Sequence, residues 1–329
     1  MKHMWHIVFA VSALATLACA GCVELSLFAP PEIETVELES SPVWIETERI
    51  AVIDVSGFIT SSDLGSTLLR FQTSAADIRE RLDRVADDWR VKAIILRIDS
   101  PGGEATGSDV IYQQIKAFRK KKEIPVVACL TNLAASGGYY VACACDRIVA
   151  YPTAITGSVG TIMHFYNVQG LFEKVGLKRI TIKSGEKKDI ASSVRPMTPE
   201  EREILEGITH DLSERFFDVV RTGRPDMKEE HLRLIRDGRV VLGKMALEMG
   251  MVDKLGFLED AIDEAKKLAG VETADVIAYR SGERVNTNLY AGTQTDVSSG
   301  NAIDVLGEAL QTFARQCAPG FYYLWLPQP

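Results

Sequence analysis

Short apolar runs and stripes of helical spacing alternate along the chain from Ile50 onward. The β-branched run Ile50 to Val55 ends at Gly57 and is typical of a buried strand. A helical stripe follows, formed by Ile78, Leu82, Val85 and Trp89. The same patterns predict strands over 93–98, 125–130, 147–150 and 177–183, and helices over 110–118, 137–145 and 261–268. Because such alternation predicts parallel strands joined by helical crossovers, we expect an α/β domain.

One further helix is especially well marked. The sequence Thr198-Pro199-Glu200-Glu201 is a capping box with proline at the first helical position. Apolar residues then recur at i, i+4 spacing, at Ile204, Ile208, Leu212, Phe216 and Val220. So regular a stripe predicts a buried face, in the core or at a contact between subunits.

The first 22 residues have the pattern of an export signal. Lys2 precedes an apolar run from Ile7 to Ala18, and Ala20-Gly21-Cys22 ends it. This ending is similar to a bacterial lipobox, with Cys19 where leucine is usual. We therefore expect a signal over 1–21, lipidation of Cys22, and a membrane-anchored protein in the cell envelope, facing the extracytoplasmic side. A plain cleaved signal peptide and an uncleaved anchor are the alternatives.

Composition divides the rest of the chain into three parts. Residues 22–47 are acidic and interrupted by prolines, which predicts a solvated tether. Residues 48–270 carry the strong strand and helix signals, which predicts a single folded domain. Beyond them the signals weaken, so we expect 271–329 to be a partly disordered extension that ends in the aromatic segment 321–326.

The overall composition excludes some classes of function. With 329 residues, 46% of them hydrophobic and 25% charged, the chain can form a substantial core. The net charge of -8 argues against a nucleic-acid partner, which would require a basic face. Outside the signal, the cysteines form no CxxC pair and have no histidine at metal-ligand spacing. We therefore expect no metal, no cofactor and no disulfide framework.

Two glycine-rich segments are candidates for chemistry. Ser100-Pro101-Gly102-Gly103 follows a strand and can turn backbone N–H groups outward, as an oxyanion hole or anion site requires. Ala135-Ser136-Gly137-Gly138 lies at a strand-to-helix junction and exposes a serine between small residues. The N–H of Gly137 would lie beside any oxyanion formed on attack by Ser136. A helix N-cap is the alternative role for this serine.

A serine nucleophile needs a base, and the histidines are poorly placed to supply one. They lie in the signal or have no adjacent motif, at His3, His6, His164, His210 and His231. A lysine can serve instead when burial lowers its pKa toward roughly 7–8. Lys183, Lys187 and Lys188 are candidates by position.

Together these segments resemble the short form of the signal peptide peptidase SppA family, in the ClpP/crotonase fold group. The resemblance covers about Ile50 to Gly270. It rests on blocks that occur in the family's order, namely Ser100-Pro101-Gly102-Gly103, Ala135-Ser136-Gly137-Gly138-Tyr139-Tyr140, Thr156-Gly157-Ser158-Val159-Gly160, Lys183-Ser184-Gly185 with Lys188-Asp189, and Asp237-Gly238-Arg239. It implies a spiral of ββα units that forms a single protease domain.

The resemblance also implies a mechanism and partners. Ser136 would be the nucleophile, Lys188 the general base and Ser158 the residue that orients the lysine, while the N–H groups of Gly103 and Gly137 hold the oxyanion. Substrates would be hydrophobic peptides such as released signal peptides, cleaved through an acyl-enzyme. In longer relatives the lysine comes from one repeat and the serine from the other. A short form would therefore complete each dyad between neighbouring chains of a ring-shaped homo-oligomer.

Two other functions remain open at this point. A crotonase-type acyl-CoA hydratase or isomerase would use the same oxyanion turn but would need neither Ser136 nor Lys188. A non-catalytic envelope scaffold could keep the fold as a binding module. The presence of Ser136, Lys188 and Ser158 together favours the protease.

Overall fold

Long parallel strands rich in isoleucine, valine and leucine form the centre of the fold. The computed structural model describes residues 33–40, 47–61, 72–281, 288–290 and 320–325. The described residues from Glu34 onward belong to one compact unit. The strands are β1 (Ile33–Glu39), β2 (Glu48–Thr60), β3 (Gln72–Ser74), β4 (Val91–Glu104), β5 (Val126–Ala135), β6 (Arg147–Ala150), β7 (Ile155–Gly157), β8 (Val240–Leu242), β9 (Lys254–Leu255), β10 (Ala274–Ser281) and β11 (Tyr322–Leu324).

Helices follow most of the strands. They are α1 (Ala75–Asp87), α2 (Ala105–Lys122), α3 (Gly137–Ala142), α4 (Gln169–Lys174), α5 (Pro199–Gly223), α6 (Glu229–Leu234), α7 (Gly243–Glu248) and α8 (Leu258–Ala269), with 3-10 turns at Glu186–Asp189 and Ile235–Asp237. The predicted capping box is present, since the Glu201 N–H donates to Thr198 Oγ1 at 3.2 Å and the Thr198 N–H donates to Glu201 Oε2 at 3.0 Å. This reciprocal pair fixes where α5 begins.

The main sheet has the strand order β1-β10-β2-β4-β5-β6-β9. From β10 to β9 the neighbouring strands pair in parallel. One face of the sheet packs against α8, where Leu258 and Ile262 meet Ile50 and Val127 in the core. Parallel strands covered by helices are the architecture that the alternating sequence pattern predicted, so the α/β fold is confirmed.

The pairing of the long strands changes at irregularities along their length. The register of β2 against β4 shifts between Ser56 and Phe58, and that of β4 against β5 shifts between Ile98 and Ser100. Beyond these points β2 also pairs with β3, β4 with β11 and β5 with β7. Each long strand therefore supports the core with its first part and reaches the candidate site with its second.

Two segments outside the predicted domain belong to the sheet, so the predicted limits of 48 and 270 are wrong. Residues 33–39, expected in the tether over 22–47, form β1, with Val36 and Leu38 buried. In this strand apolar residues alternate with charged ones, a period-2 pattern that can bury one face of a strand. Residues 274–281, expected in the C-terminal extension, form β10 and pair with β2.

Three local predictions also need correction. The predicted strand over 177–183 has no regular structure, because no described strand pairs with it. Trp89 lies beyond the end of α1 and is 73% exposed. The stripe on α5 is buried only in its second half, where Phe216 and Val220 lie in the core, whereas Ile204 and Ile208 are exposed.

The N-terminal predictions lie outside the described residues. They comprise the signal over 1–21, the lipidation site Cys22 and the first part of the tether. Within the described ranges, no helix combines the length and the apolar character that crossing a membrane requires.

Candidate active site

Ser136 lies between β5 and α3 in a backbone conformation that L-residues rarely adopt. Its φ is 52° and its ψ is -116°. Its N–H donates to the Gly157 carbonyl at 2.7 Å, and its carbonyl accepts from the Tyr140 N–H at 2.9 Å. Such a conformation costs on the order of 1–3 kcal/mol and persists where the surroundings impose it, most often at functional sites. The Ser136 side chain makes no capping hydrogen bond, so the N-cap interpretation is wrong.

The glycines after Ser136 allow α3 to approach the end of β4. A Cβ on Gly137 would lie 2.4 Å from Ser108 Oγ and 3.1 Å from Gly102 Cα. A Cβ on Gly138 would lie 2.9 Å from the Ser100 carbonyl oxygen. A side chain at Gly138 would clash with backbone, and one at Gly137 would displace the Ser108 hydroxyl, so glycine at both positions allows this close contact.

The turn at the end of β4 is held by its own serine. Ser100 Oγ donates to the Gly57 carbonyl at 2.6 Å and accepts from the Gly102 N–H at 3.0 Å. Gly102 has a φ of +97°, which favours glycine, and a Cβ on Gly103 would lie 2.1 Å from the Ile59 carbonyl oxygen. Through the contact of Gly102 with Gly137, the structure brings the two predicted oxyanion donors together.

Ser158 lies on the other side of Ser136, at the end of β7. Its φ is 52°, and its N–H donates to the Arg239 carbonyl at 2.7 Å. Gly157, which accepts the hydrogen bond from Ser136, precedes it directly in the chain. The Thr156-Gly157-Ser158 and Asp237-Gly238-Arg239 blocks are therefore adjacent in the fold, although distant in sequence.

The three candidate lysines lie on an exposed segment around the 3-10 turn 186–189. Lys183 Nζ donates to the Glu186 carbonyl at 2.8 Å and to Asp189 Oδ1 at 2.7 Å, and Lys187 pairs with Glu200. Lys188 is exposed, its N–H donates to the Gly185 carbonyl at 3.1 Å, and its side chain makes no hydrogen bond or ion pair with any residue that the structure describes, Ser136 included. A single chain therefore brings Ser136, Gly103, Gly137 and Ser158 together, but it does not join Lys188 to Ser136.

An arginine that the sequence analysis missed fixes the lysine segment to α5. Arg195 Nη2 donates to Asp189 Oδ1 at 2.9 Å and to Glu201 Oε1 at 2.5 Å. Hydrogen bonds from Arg195 and Lys183 hold the pKa of the Asp189 carboxyl well below its usual range. Hydrogen bonds from Arg195 and the Thr198 N–H lower the pKa of Glu201 to about 2. The sequence offers one signal for this cluster, because the positively charged Arg195 lies six residues after Asp189 and six residues before Glu201, both negatively charged.

The C-terminal strand was missed as well. β11 pairs antiparallel with residues 102–104 of β4, directly beside the oxyanion turn. The sequence predicts a partly disordered extension here, because the polar surroundings of this segment carry no strand pattern.

Known proteins match this chain through its protease region. The model of peptidase family S49 matches residues 118–272, a range that includes both Ser136 and Lys188. The putative protease slr0021 of Synechocystis sp. is 39% identical over 225 residues, covering 68% of this chain and 76% of that protein. The putative signal peptide peptidase SppA of Enterococcus faecium is 34% identical over 234 residues, covering 71% of this chain and 67% of that protein.

A solved structure also matches part of this chain. It is a mutant of the 1510-N membrane-bound stomatin-specific protease, with a TM-score of 0.43 at 15% identity, covering 71% of this chain and 98% of that one. The sequence relatives carry the assignment, because they are at least 34% identical over about two thirds or more of their own length. The chain belongs to peptidase family S49, with the SppA proteases, and is a serine peptidase.

Proposed function

We propose that this peptidase uses Ser136 as its nucleophile and Lys188 as its general base. The observation that carries the proposal is the backbone of Ser136, a strained strand-to-helix junction that leaves the side chain uncapped beside two glycine-rich turns. Such a junction presents a nucleophile at the end of a strand, with the next N–H directed at the developing negative charge. A scaffold or an acyl-CoA enzyme would have no use for this conformation of Ser136.

The reaction proceeds through an acyl-enzyme. Ser136 Oγ attacks the peptide carbonyl carbon, its proton passes to the base, and the negative charge develops on the carbonyl oxygen. The N–H groups of Gly103 and Gly137 stabilise that oxygen, a contribution of about 3–4 kcal/mol per donor in known hydrolases. The base then protonates the leaving amine, and water hydrolyses the ester. Ser158, which follows Gly157 beside Ser136, orients the lysine.

We propose that Lys188 reaches Ser136 from a second copy of the chain. A general base must lie within about 3 Å of the proton it accepts, and no such contact with Lys188 exists within the described part of one chain. The segment before Lys188 exposes Ile180 and Ile182 by 88% and 97%, an unusual state for isoleucine. If a neighbouring chain covers these two side chains, Lys188 of the first chain would lie at Ser136 of the neighbour. A head-to-tail contact of this type closes into a ring when the rotation between neighbouring chains completes a circle.

Substrates of this site would be extended hydrophobic peptides, and released signal peptides are the class we propose. The end of β4, beside the oxyanion turn, pairs through main-chain hydrogen bonds with the extended strand β11, and an extended peptide would bind by the same type of strand pairing. A relative named as a putative signal peptide peptidase supports this class.

Serine labelling and peptide cleavage test the assignment together. A fluorophosphonate should label the wild-type chain and not Ser136→Ala. Cleavage of hydrophobic peptides should fall by roughly a thousandfold or more in Ser136→Ala and in Lys188→Ala, because the two groups act as one unit. Lys187→Ala, which removes the adjacent lysine and its surface ion pair, is the matched control and should retain activity.

Each alternative predicts a different result. Retained cleavage in Lys188→Ala with loss in Lys183→Ala would transfer the role of base to Lys183. Loss in His164→Gln with retention in both lysine variants would favour a histidine base. A folded wild-type protein that neither reacts with the fluorophosphonate nor cleaves peptides would refute the role of Ser136.

A further inference from the structure

A polar cavity lies where the end of α1 and the loop into β4 meet β1 and β10. Its volume is about 490 Å³, within the range of small-molecule sites. Because successive strand residues point to opposite faces, and Val36 and Ala278 lie in the core beside α8, the residues next to them reach this cavity on the other face. Its lining, which includes no residue of the candidate active site, contains Thr35, Arg84, Asp88, Trp89, Arg90 and Tyr279.

The hydroxyl of Tyr279 is an unpaired donor in this cavity. Tyr279 is 5% exposed, and its hydroxyl has no hydrogen-bond partner among the described residues. Burial raises the pKa of Tyr279 to about 12, so the hydroxyl is protonated at neutral pH and can donate. The positive charge of Arg49 acts on this hydroxyl, and Arg49 Nε is likewise buried with no partner in the described part of the chain. Buried donors without an acceptor are rare in folded proteins, so this pair indicates a ligand that accepts hydrogen bonds.

The charges around the cavity favour an anion as that ligand. Arg49 Nη1 donates to Asp88 Oδ2 at 2.7 Å and the Arg90 N–H donates to Asp88 Oδ1 at 3.0 Å, so the Asp88 carboxylate is already occupied. The Arg84 side chain makes no hydrogen bond or ion pair within the ranges that the structure describes. Three arginines surround two aspartates here, because Asp87 also lines the cavity. One positive charge is therefore in excess.

The C-terminal end of α1 does not cancel this charge. The last carbonyls of a helix carry partial negative charge, which would disfavour an anion if they were free. The Asp88 N–H donates to the carbonyls of Arg84 and Val85 at 3.2 and 3.3 Å, and Lys122 Nζ donates to the Ala86 carbonyl at 3.1 Å. The helix end is therefore satisfied within the fold, whereas the donors of Arg84 and Tyr279 are not.

An exposed tryptophan forms the apolar part of the cavity. Trp89 is 73% exposed and directly follows Asp88, so its indole lies beside the unpaired donors. Indole rings at binding surfaces contribute a large apolar contact area next to polar groups. Arginine binds carboxylates through charge-assisted hydrogen bonds of defined geometry. A ligand that combines a carboxylate with an apolar group would use both parts of this cavity.

We propose that this cavity binds the C-terminal residue of a peptide, with the carboxylate on Arg84 and the Tyr279 hydroxyl and the apolar side chain against Trp89. Capture of a terminal carboxylate is a recurring mode of peptide recognition. A peptidase releases such a carboxylate at every cleavage, which is the reason to choose a peptide end over other carboxylates. The inference rests on the peptidase assignment and is independent of the roles proposed for Ser136 and Lys188.

Two matched peptides test recognition of the carboxylate in the full chain. The probe is fluorescein-labelled Gly-Ser-Gly-Phe with a free C-terminal carboxylate, followed by fluorescence anisotropy in a Ser136→Ala background. It should bind roughly tenfold or more tightly than the same peptide with a C-terminal amide. Arg84→Met should remove most of this difference. Arg79→Met, which removes an exposed arginine of the same helix that pairs with Asp83, is the matched control and should leave it unchanged.

The substitution Tyr279→Phe tests the buried hydroxyl. Because this hydroxyl has no partner among the described residues, its loss should not lower the Tm of the free chain. Binding of the free-acid peptide should nevertheless weaken by roughly three- to tenfold, since one donor to the carboxylate is lost. A lower Tm for Tyr279→Phe would show that the hydroxyl serves the fold, and unchanged binding would show that it does not serve the ligand. Either result would overturn the proposal.

Competition separates a peptide end from a simple anion. N-acetyl-phenylalanine should displace the probe, and inorganic phosphate at the same concentration should not, because phosphate has no group to contact the indole of Trp89. Equal displacement by phosphate, or equal affinity for the free acid and the amide, would also overturn the proposal. Because the readout is binding to chains without Ser136, such a failure would leave the proposed catalytic roles untouched.

Discussion

At the scale of single residues, the site depends on positions where a side chain has no room. Gly102 is the sharpest case, since its φ is +97° and its missing Cβ leaves space for the Tyr323 carbonyl and the Gly137 N–H. The same space would hold the carbonyl of a substrate. The oxyanion turn therefore requires glycine at position 102, because any other residue would place a Cβ atom in this space.

Gly102→Ala should disable the site while leaving most of the fold intact. Its Cβ would lie 2.6 Å from the Gly137 nitrogen, so the turn must shift, and the unfavourable φ adds a cost of about 1–2 kcal/mol. We expect fluorophosphonate labelling of Ser136 to slow by roughly tenfold or more. We expect the free energy of unfolding, measured in urea, to fall by about the cost of the strained φ.

Gly207→Ala is the control for this substitution. Gly207 lies inside α5 with no atom within 4 Å of its Cβ position, so alanine should raise the free energy of unfolding by about 0.5–1 kcal/mol and leave labelling unchanged. Normal labelling in a folded Gly102→Ala chain would contradict this account of the turn.

At the scale of elements, the segment 177–189, which carries Lys188, is attached to α5 at its C-terminal end, near Asp189. Arg195 ties Asp189 to Glu201, which forms the capping box of α5 with Thr198, so the 3-10 turn 186–189 is attached to a regular helix. By contrast, residues 177–186 are exposed. The helix start therefore sets the position of the turn that presents the lysine.

The Arg195 cluster should make this attachment sensitive to acid. The pKa values of Asp189 and Glu201 are lowered in the folded state, so their stabilising contribution is complete above their unfolded values of about 4. The contribution is lost as the pH falls from there toward 2. Hydrogen exchange across 183–201, corrected for intrinsic rates, should show protection at pH 6 that disappears over this range.

Arg195→Met should abolish the protection of 183–201 at every pH, because it removes the bonds to both carboxylates. Arg202→Met removes an exposed pair with Glu206 on the same helix and should leave the exchange pattern unchanged. Equal protection of this segment in wild type and Arg195→Met would show that other contacts hold it.

At the scale of the whole molecule, one chain leaves Lys188 without a contact to Ser136 and leaves an apolar segment exposed. Ser136 is buried with its oxyanion turn, whereas Lys188 is exposed at the end of a stretch that includes Ile180 and Ile182. The exposed first half of α5, with Ile204 and Ile208, is a further candidate for the same contact. A second copy is the partner that would make use of all three features.

Subunit mixing tests this arrangement. Ser136→Ala and Lys188→Ala chains, each inactive alone, should regain peptidase activity when they are unfolded together and refolded as a mixture. With random assembly in a ring, about a quarter of the contacts join an intact serine to an intact lysine, so activity should approach a quarter of the wild-type value. Mixing Ser136→Ala chains with chains that carry both substitutions should restore no peptidase activity. Full activity in a monomer, or no rescue on mixing, would refute the shared dyad.

Much of this protein follows from the sequence because the relevant signals are local. The β-branched runs of β2, β4 and β5 indicate buried strands, and the Thr198 capping box marks the start of α5. The glycines beside Ser136 and Ser100 are required by backbone contacts in the fold, which is why these motifs pointed to the right region. Propensity and spacing act within a few residues, so they can be recognised without a structure.

Only the tertiary structure decided which distant segments meet. β10 and β11 come from the region expected to be an extension, yet one lies inside the main sheet and the other beside the oxyanion turn. The strand pattern of 177–183 leads to no strand, because a strand needs a neighbour that this chain does not provide among its described residues. Strand pairing and burial depend on partners that are distant in sequence. Bringing such partners together costs chain entropy, and the contacts that offset this cost form only in the complete fold.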